Sequence, residues 1–270
     1  MKRKFYFIFF ILSFILILIS CKNNNYTETE YSYKLSDSIT DIEINWRVGD
    51  IEITSGDEFS IVETSQDEKA IAPLNYSIID NKLVLNYNNS NKNLKIVLKK
   101  AQVINSLNIE SNQSNLKLNN IKMSYFISNT KFGILNITNC QISNFNSTIE
   151  CSHYDINISN NQFSNFYLHS NKLSKIIIKN NICESFFIEV VSTIIEFNET
   201  NKIKCLKINM IFGSILLILD RKNGYVIFAN APTILIDFET INYNGIYYYS
   251  NAEFNYNLSS KNGVIAIKRK

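Results

Sequence analysis

The residues best placed for chemistry are few. In Cys151-Ser152-His153-Tyr154-Asp155 a thiol, an imidazole and a carboxylate alternate, and on an extended strand positions 151, 153 and 155 face one side. A thiolate nucleophile needs a base within hydrogen-bond reach and a site for the oxyanion. Side chains at i and i+2 run parallel instead of converging, and no oxyanion donors stand nearby, so this run reads as ordinary sheet surface. Cys151, His153 and His169 make three potential ligands, one short of the four of structural zinc. Neither a metal nor a cofactor is expected. Glycoside hydrolysis would need two carboxylates at a defined separation. The acids of the central chain, Glu110, Glu150, Asp155, Glu184, Glu189, Glu196 and Glu199, offer no such pair; Glu189 and Glu199, ten apart, belong on opposite sheets. A carbohydrate-active enzyme is therefore the remotest reading. Cys140, Cys151, Cys183 and Cys205 are expected as buried free thiols. If any two pair, Cys183 and Cys205 are the best candidates, provided their Cα atoms approach within about 6 Å. Tyr243, Tyr247, Tyr248, Tyr249 and Tyr256 crowd the end of the chain, and alternation must send part of that set to solvent.

One further cysteine has a different context. Lys2, Arg3 and Lys4 precede an apolar run from Phe5 to Ile19, too short for a comfortable span of about 20 residues. The run ends in Leu18-Ile19-Ser20-Cys21 and gives way to Lys22-Asn23-Asn24-Asn25. Charged, apolar and small-residue parts in that order make a signal peptide over residues 1–20. The four residues Leu18 to Cys21 resemble the bacterial lipobox. That resemblance implies that Cys21 is acylated and becomes the first residue of the mature chain; two or more acyl chains suffice for stable anchoring. Removing residues 1–20 removes three cations, leaving 24 basic against 24 acidic residues. A neutral chain gives nucleic acid no electrostatic motive to bind.

What must position these groups is a repeat. The 270 residues include 40 Asn and 44 Ile, with 15 Tyr and 18 Phe, but only 7 Gly and 2 Pro. β-Branched and aromatic side chains fit a pleated surface, so the composition reads as all-β. Apolar pairs at i and i+2 recur roughly every ten residues, from Leu107/Ile109 through Phe166/Leu168, Phe186/Ile188 and Leu206/Ile208 to Ile265/Ile267. Residue types match better at twenty than at ten. Phe126, Phe166, Phe186, Leu206, Val226 and Ile246 are whole multiples of twenty apart, with Phe145 one residue off the series. Ile121, Ile142, Phe163, Ile182 and Ile203 repeat at a turn, each preceded within three residues by Asn120, Asn139, Asn160, Asn180 or Asn201. Antiparallel hairpins have no reason to keep such a register, whereas stacked coils do. The expected fold is a single-chain parallel β-solenoid with two short strands per coil of about 20 residues. Asn tolerates the left-handed backbone that a sharp corner needs, and its amide can bond to its neighbour one coil away.

Residues 21–38 read as a lipidated polar tether. Residues 39–270 read as one solenoid domain, with a less regular capping portion over 39–100 and regular coils over 101–270. Within it, Val48-Gly49-Asp50-Ile51-Glu52-Ile53, Phe59-Ser60-Ile61-Val62-Glu63 and Asn81-Lys82-Leu83-Val84-Leu85 resemble the opening of the bacterial putative-adhesin family with repeated β-strands. Asn262-Gly263-Val264-Ile265-Ala266-Ile267 is similar to that family's last strand. The resemblance implies a right-handed solenoid in an envelope protein, and no catalytic residues come with it. Asn stands here where the family often has Gly between strands. Together these features lead to the expectation of a lipid-anchored, monomeric envelope protein, outer-membrane or surface-exposed, that binds a protein or glycan and is not an enzyme. The alternative is a structural or envelope-stress-sensing component with no external ligand.

Overall fold

The computed structural model describes residues 29–36, 38–65, 74–86, 92–150, 155–172, 175–198, 200–237, 239–241, 245–249 and 253–270. The regular elements among them are all strands. From Val103 onward each coil lies parallel on the one before. Val103 pairs with Lys122, Lys122 with Gln141, Gln141 with Gln162, Gln162 with Ile182 and Ile182 with Lys202. The steps are therefore 19, 19, 21, 20 and 20 residues, and the solenoid register expected from the sequence holds. Second strands such as Leu135–Thr138, Asp155–Ser159 and Lys175–Lys179 build a second parallel ladder across the core. In two later coils, Ile182–Phe197 and Lys202–Leu219, strand pairing continues round the corner without a break.

The uneven steps explain the stray phenylalanine. A 19-residue coil followed by a 21-residue coil returns Phe145 to register, so Phe126, Phe145, Phe166 and Phe186 stack with ring centroids 4.7, 4.5 and 4.0 Å apart. Leu206 continues the column. Phe197, from the second ladder, meets Phe186 edge-on at 5.9 Å. All are at most 3% exposed. Each such side chain contributes about 1.5–3 kcal/mol by burial.

Asparagine makes the first corner in two ways. Asn120, Asn139, Asn160 and Asn180 all adopt left-handed φ between 54° and 58°. The next residue turns inward, and there Asn161, Asn181 and Asn201 form a buried ladder. The Asn161 and Asn181 amides donate to the side-chain oxygens of Asn181 and Asn201 at 3.0 and 3.2 Å. Their other donors reach the backbone: Asn161, Asn181 and Asn201 Nδ2 bond the carbonyls of Ile137, Ile158 and Ile178. Asn201 thus belongs to this inner ladder and not to the left-handed set in which its spacing placed it. Ile182 likewise leaves the predicted apolar column; it is 54% exposed, and Cys183 takes the core position between Phe163 and Ile203. At the opposite corner Gly213 has φ 118°, and a Cβ there would sit 1.9 Å from the Thr193 carbonyl oxygen, so only glycine lets the coils close.

The two ends depart from simple succession, and in the same manner. The last strand, Phe254–Arg269, inserts beside Lys202–Leu219, pairing Leu206 with Tyr256. The earlier segment carrying Tyr225–Asn230 and Thr233–Ile236 is displaced one layer outward. Gly245–Tyr249 and Glu239–Ile241 then fold back antiparallel upon that segment. Val226 and Ile246 consequently fall outside the aromatic column, and Ile246 is 48% exposed. At the other end Asp41–Val48 inserts between Lys82–Asn86 and Val103–Gln113. Ser60–Ser65 and Asn75–Ile79 fold back antiparallel as the cap. The expected tether is shorter than its sequence suggested. Thr29–Lys34 is a strand, antiparallel to Ser60–Ser65, because alternation turns Tyr33 inward, where it meets Tyr76. Ten parallel layers with a fold-back layer at each end make a rod of roughly 50 Å at 4.8 Å per layer.

Candidate binding surface

Because side chains alternate, the first ladder presents continuous outward columns. One runs Asn45, Glu110, Asn129, Thr148, His169, Glu189 and Asn209, each directly paired with the next. At its start the corner opens into a groove of about 390 Å³ lined by Asn45, Arg47, Glu110, Asn112, Asn129, Lys131 and Glu150. Amides, carboxylates and two cations face into it, while Trp46, Ser111 and Thr130 form its buried floor. Ser111 and Thr130 hydroxyls bond each other at 2.9 Å, which holds the floor polar but satisfied. Further along, the neighbouring column brings Tyr167, Phe187 and Lys207 together. Tyr167 and Phe187 rings lie 5.2 Å apart, and Lys207 Nζ stands 5.0 Å over Phe187. Tyr167 donates to Glu189 at 3.2 Å, and Glu189 lies 3.7 Å from His169 Nδ1. Burial and the Glu189 carboxylate push the Tyr167 hydroxyl above its ordinary range, so it remains a donor. The strip can thus offer hydrogen bonds at its polar end and a ring face with a cation at its centre.

Behind the groove the N-terminal cap is fixed by an ion pair. Lys92 Nζ lies 3.3 Å from both Glu63 carboxylate oxygens, each side chain 2% exposed. Trp46 Nε1 donates to the Lys92 carbonyl at 3.0 Å, tying pair to groove. Burial raises the Glu63 carboxyl above the ordinary value of 4.5, against the downward pull of Lys92. The folded chain therefore holds this proton more tightly than the unfolded one. Its contribution to stability is complete below about pH 4.5 and is lost as pH rises through the raised value. Melting temperature against pH is expected to carry that downward step in the wild type and to lose it in Glu63→Gln. The same step in both proteins would contradict the assignment.

The cysteines are placed unevenly. Cys140 and Cys183 are buried free thiols, pushed by burial up to about 11 and about 12, and stay protonated at neutral pH. Cys205 is free and exposed. The disulfide considered between Cys183 and Cys205 is not formed: Cys183 faces the core opposite Ile203, whereas Cys205 faces solvent opposite Ser185. Cys21, Cys151 and His153 lie outside the described residues, as do Tyr243, Glu199 and the signal peptide. His169 belongs to the outward strip and contacts Glu189. Tyr247 and Tyr249 are half-buried against the core, with Arg269 stacked 4.7 Å over Tyr249, and Tyr256 is within the core. Sequence reasoning missed the groove, since Asn45 and Glu110 are neighbours only through insertion of the 41–48 strand.

A parallel two-ladder solenoid with antiparallel caps and a polar outward strip defines a repetitive scaffold. Over residues 17–268 the chain matches the family model described as Toastrack DUF4097, and it belongs to that family. Among solved structures it is similar to a putative adhesin from Bacteroides fragilis, at 16% identity and TM-score 0.50 over 90% of this chain and 97% of that one. A putative adhesin from Parabacteroides distasonis aligns at 8% identity and TM-score 0.42, over 91% and 98%. The first of these supports the fold. No curated protein matches the sequence.

Proposed function

We propose that the protein is a lipid-anchored envelope scaffold that binds an extended polar ligand, a glycan or a protein segment, without catalysis. The observation that carries this reading is the outward strip from Asn45 to Asn209, in which polar side chains recur at one coil's spacing. A repeated spacing suits a polymer, since each coil offers its neighbour's contacts again. The adhesin name of the Bacteroides fragilis neighbour agrees with this use. Anchoring rests on the lipobox at Leu18 to Cys21.

Two experiments test the two parts. Cells fed an alkyne-tagged fatty acid are expected to label the wild type and to leave Cys21→Ser unlabelled; equal labelling of both would count against acylation at Cys21. For binding, the chain from residue 22 is screened on a polysaccharide array and in envelope-extract pull-downs. Glu110→Ala with Asn129→Ala, both on the surface, is expected to weaken capture about tenfold or more without changing the melting temperature. Capture that is indifferent to these changes would place the ligand elsewhere.

A further inference from the structure

Among the described residues, the end of the rod nearest the anchor exposes four large apolar side chains in its fold-back strands, against the pair Phe228 and Ile246 at the other end. Directly opposite residues of an antiparallel pair share a face. Tyr76 and Ile78 lie opposite Leu85 and Leu83, and Tyr31 and Tyr33 lie opposite Glu63 and Ile61, so all four point toward the core. They are the side chains that a further coil would cover. Tyr31 is 37% exposed, Tyr76 41% and Ile78 45%, with Ile79 at 62% on the other face, while the core leucines they oppose are fully buried. At the far end Arg269 closes over Tyr249 and pairs with Asp237 at 2.7 Å. Two carboxylates near this end are paired with lysines, Lys34–Glu58 and Lys100–Asp57, both 2.7 Å.

We propose that this open end, Tyr31, Tyr76, Ile78 and Ile79, docks into the interfacial region of the bilayer and stands the rod upright on it. The proposal rests on the anchoring reading above. Only seven residues, 22–28, separate Cys21 from Thr29, and the eight steps between them span at most about 28 Å. The opposite end of a rod of roughly 50 Å is beyond that reach, so the anchor holds the apolar end at the membrane. Tyrosine suits the interface because its ring is apolar and its hydroxyl wet. Glu30 and Asp80 stand beside the patch in sequence, so insertion is driven by apolar burial and not by attraction to anionic headgroups.

Hydrogen exchange tests this. The acylated protein is purified from its own signal sequence into vesicles of phosphatidylethanolamine and phosphatidylglycerol, and its acylation is read by intact mass. The comparison is the chain from residue 22 without vesicles, which keeps every described strand. Exchange in Asn75–Ile79 is expected to slow about tenfold on vesicles, with Gly245–Tyr249 unchanged. Ile79→Asp should return the exchange toward the vesicle-free rate at unchanged melting temperature. An acylated protein with equal exchange in both states would overturn docking and leave anchoring intact. Protection already present without vesicles would also overturn it: if it rises with protein concentration a second copy is the occupant, and if not, the chain covers itself. A protein without acyl groups would overturn the anchoring reading and this inference together.

Discussion

Replacing Phe186 with Asp is expected to unfold the middle of the rod. The ring is stacked on Phe166, 4.0 Å from it, lies edge-on to Phe197, and is fully buried. The substitution removes the buried ring, leaves a cavity between two coils and places a carboxylate where no partner exists. The combined cost is about 5 kcal/mol or more, comparable with the whole stability of an ordinary domain. Replacing Lys207 with Ala, one residue beyond Leu206 and facing out over Phe187, should cost about 0.5 kcal/mol. Thermal unfolding of the two variants checks the contrast, and equal tolerance would refute the register.

Asn181→Leu is expected to be nearly as damaging although the two side chains branch alike at Cγ. The Asn181 side chain donates to the carbonyls of Ile158 and Lys179, both at 2.9 Å, and its oxygen accepts from the Asn161 backbone N–H at 3.1 Å. Leucine leaves the Asn161 backbone N–H and the Asn161 and Asn201 amides without their Asn181 partner, at about 1–3 kcal/mol for each buried group left unpaired. The Lys179 carbonyl keeps the Asn160 N–H at 3.1 Å. The same column begins with Ile121 and Cys140, both buried, so an apolar residue is accepted where the ladder has not started. Denaturant unfolding should show a loss of about 3–5 kcal/mol for Asn181→Leu. A loss below about 1 kcal/mol would mean that the ladder is ornamental, since typical single hydrogen bonds reach that value.

These two residues mark what the sequence makes legible. Phe166, Phe186 and Leu206 recur at twenty because identical coils stack identical side chains, and Asn120 to Asn180 recur because a corner needs left-handed backbone. Both signals are local and periodic. The order of the ends is neither. Phe254–Arg269 and Asp41–Val48 carry the same alternating pattern as any other coil, so their pattern cannot say which neighbour they pair with. That choice is a competition among similar edges, settled by fits such as Gly263 packed on the Gly213 carbonyl. Val226 and Ile246 keep the twenty-residue spacing and yet stand outside the column for that reason. The groove was invisible for the same reason, because Asn45 and Glu110 are joined only by the insertion. The acylation proposed at Cys21 rests on its motif alone, and Cys183 and Cys205 show that spacing close to one coil does not ensure a shared face.

The parallel stack is the claim on which the strip, the caps and the upright rod all depend, and a dipolar distance measurement tests it most directly. Asn108 and Lys207 lie in one outward column, linked through Ile127, Asn146, Tyr167 and Phe187. Spin labels at Asn108 and Lys207 should lie about 24 Å apart, five layers of 4.8 Å, and moving the second label to Phe187 should shorten this to about 19 Å. Distances that do not shorten by one layer spacing would contradict the solenoid, since strands of alternating direction would scatter these positions across the sheet.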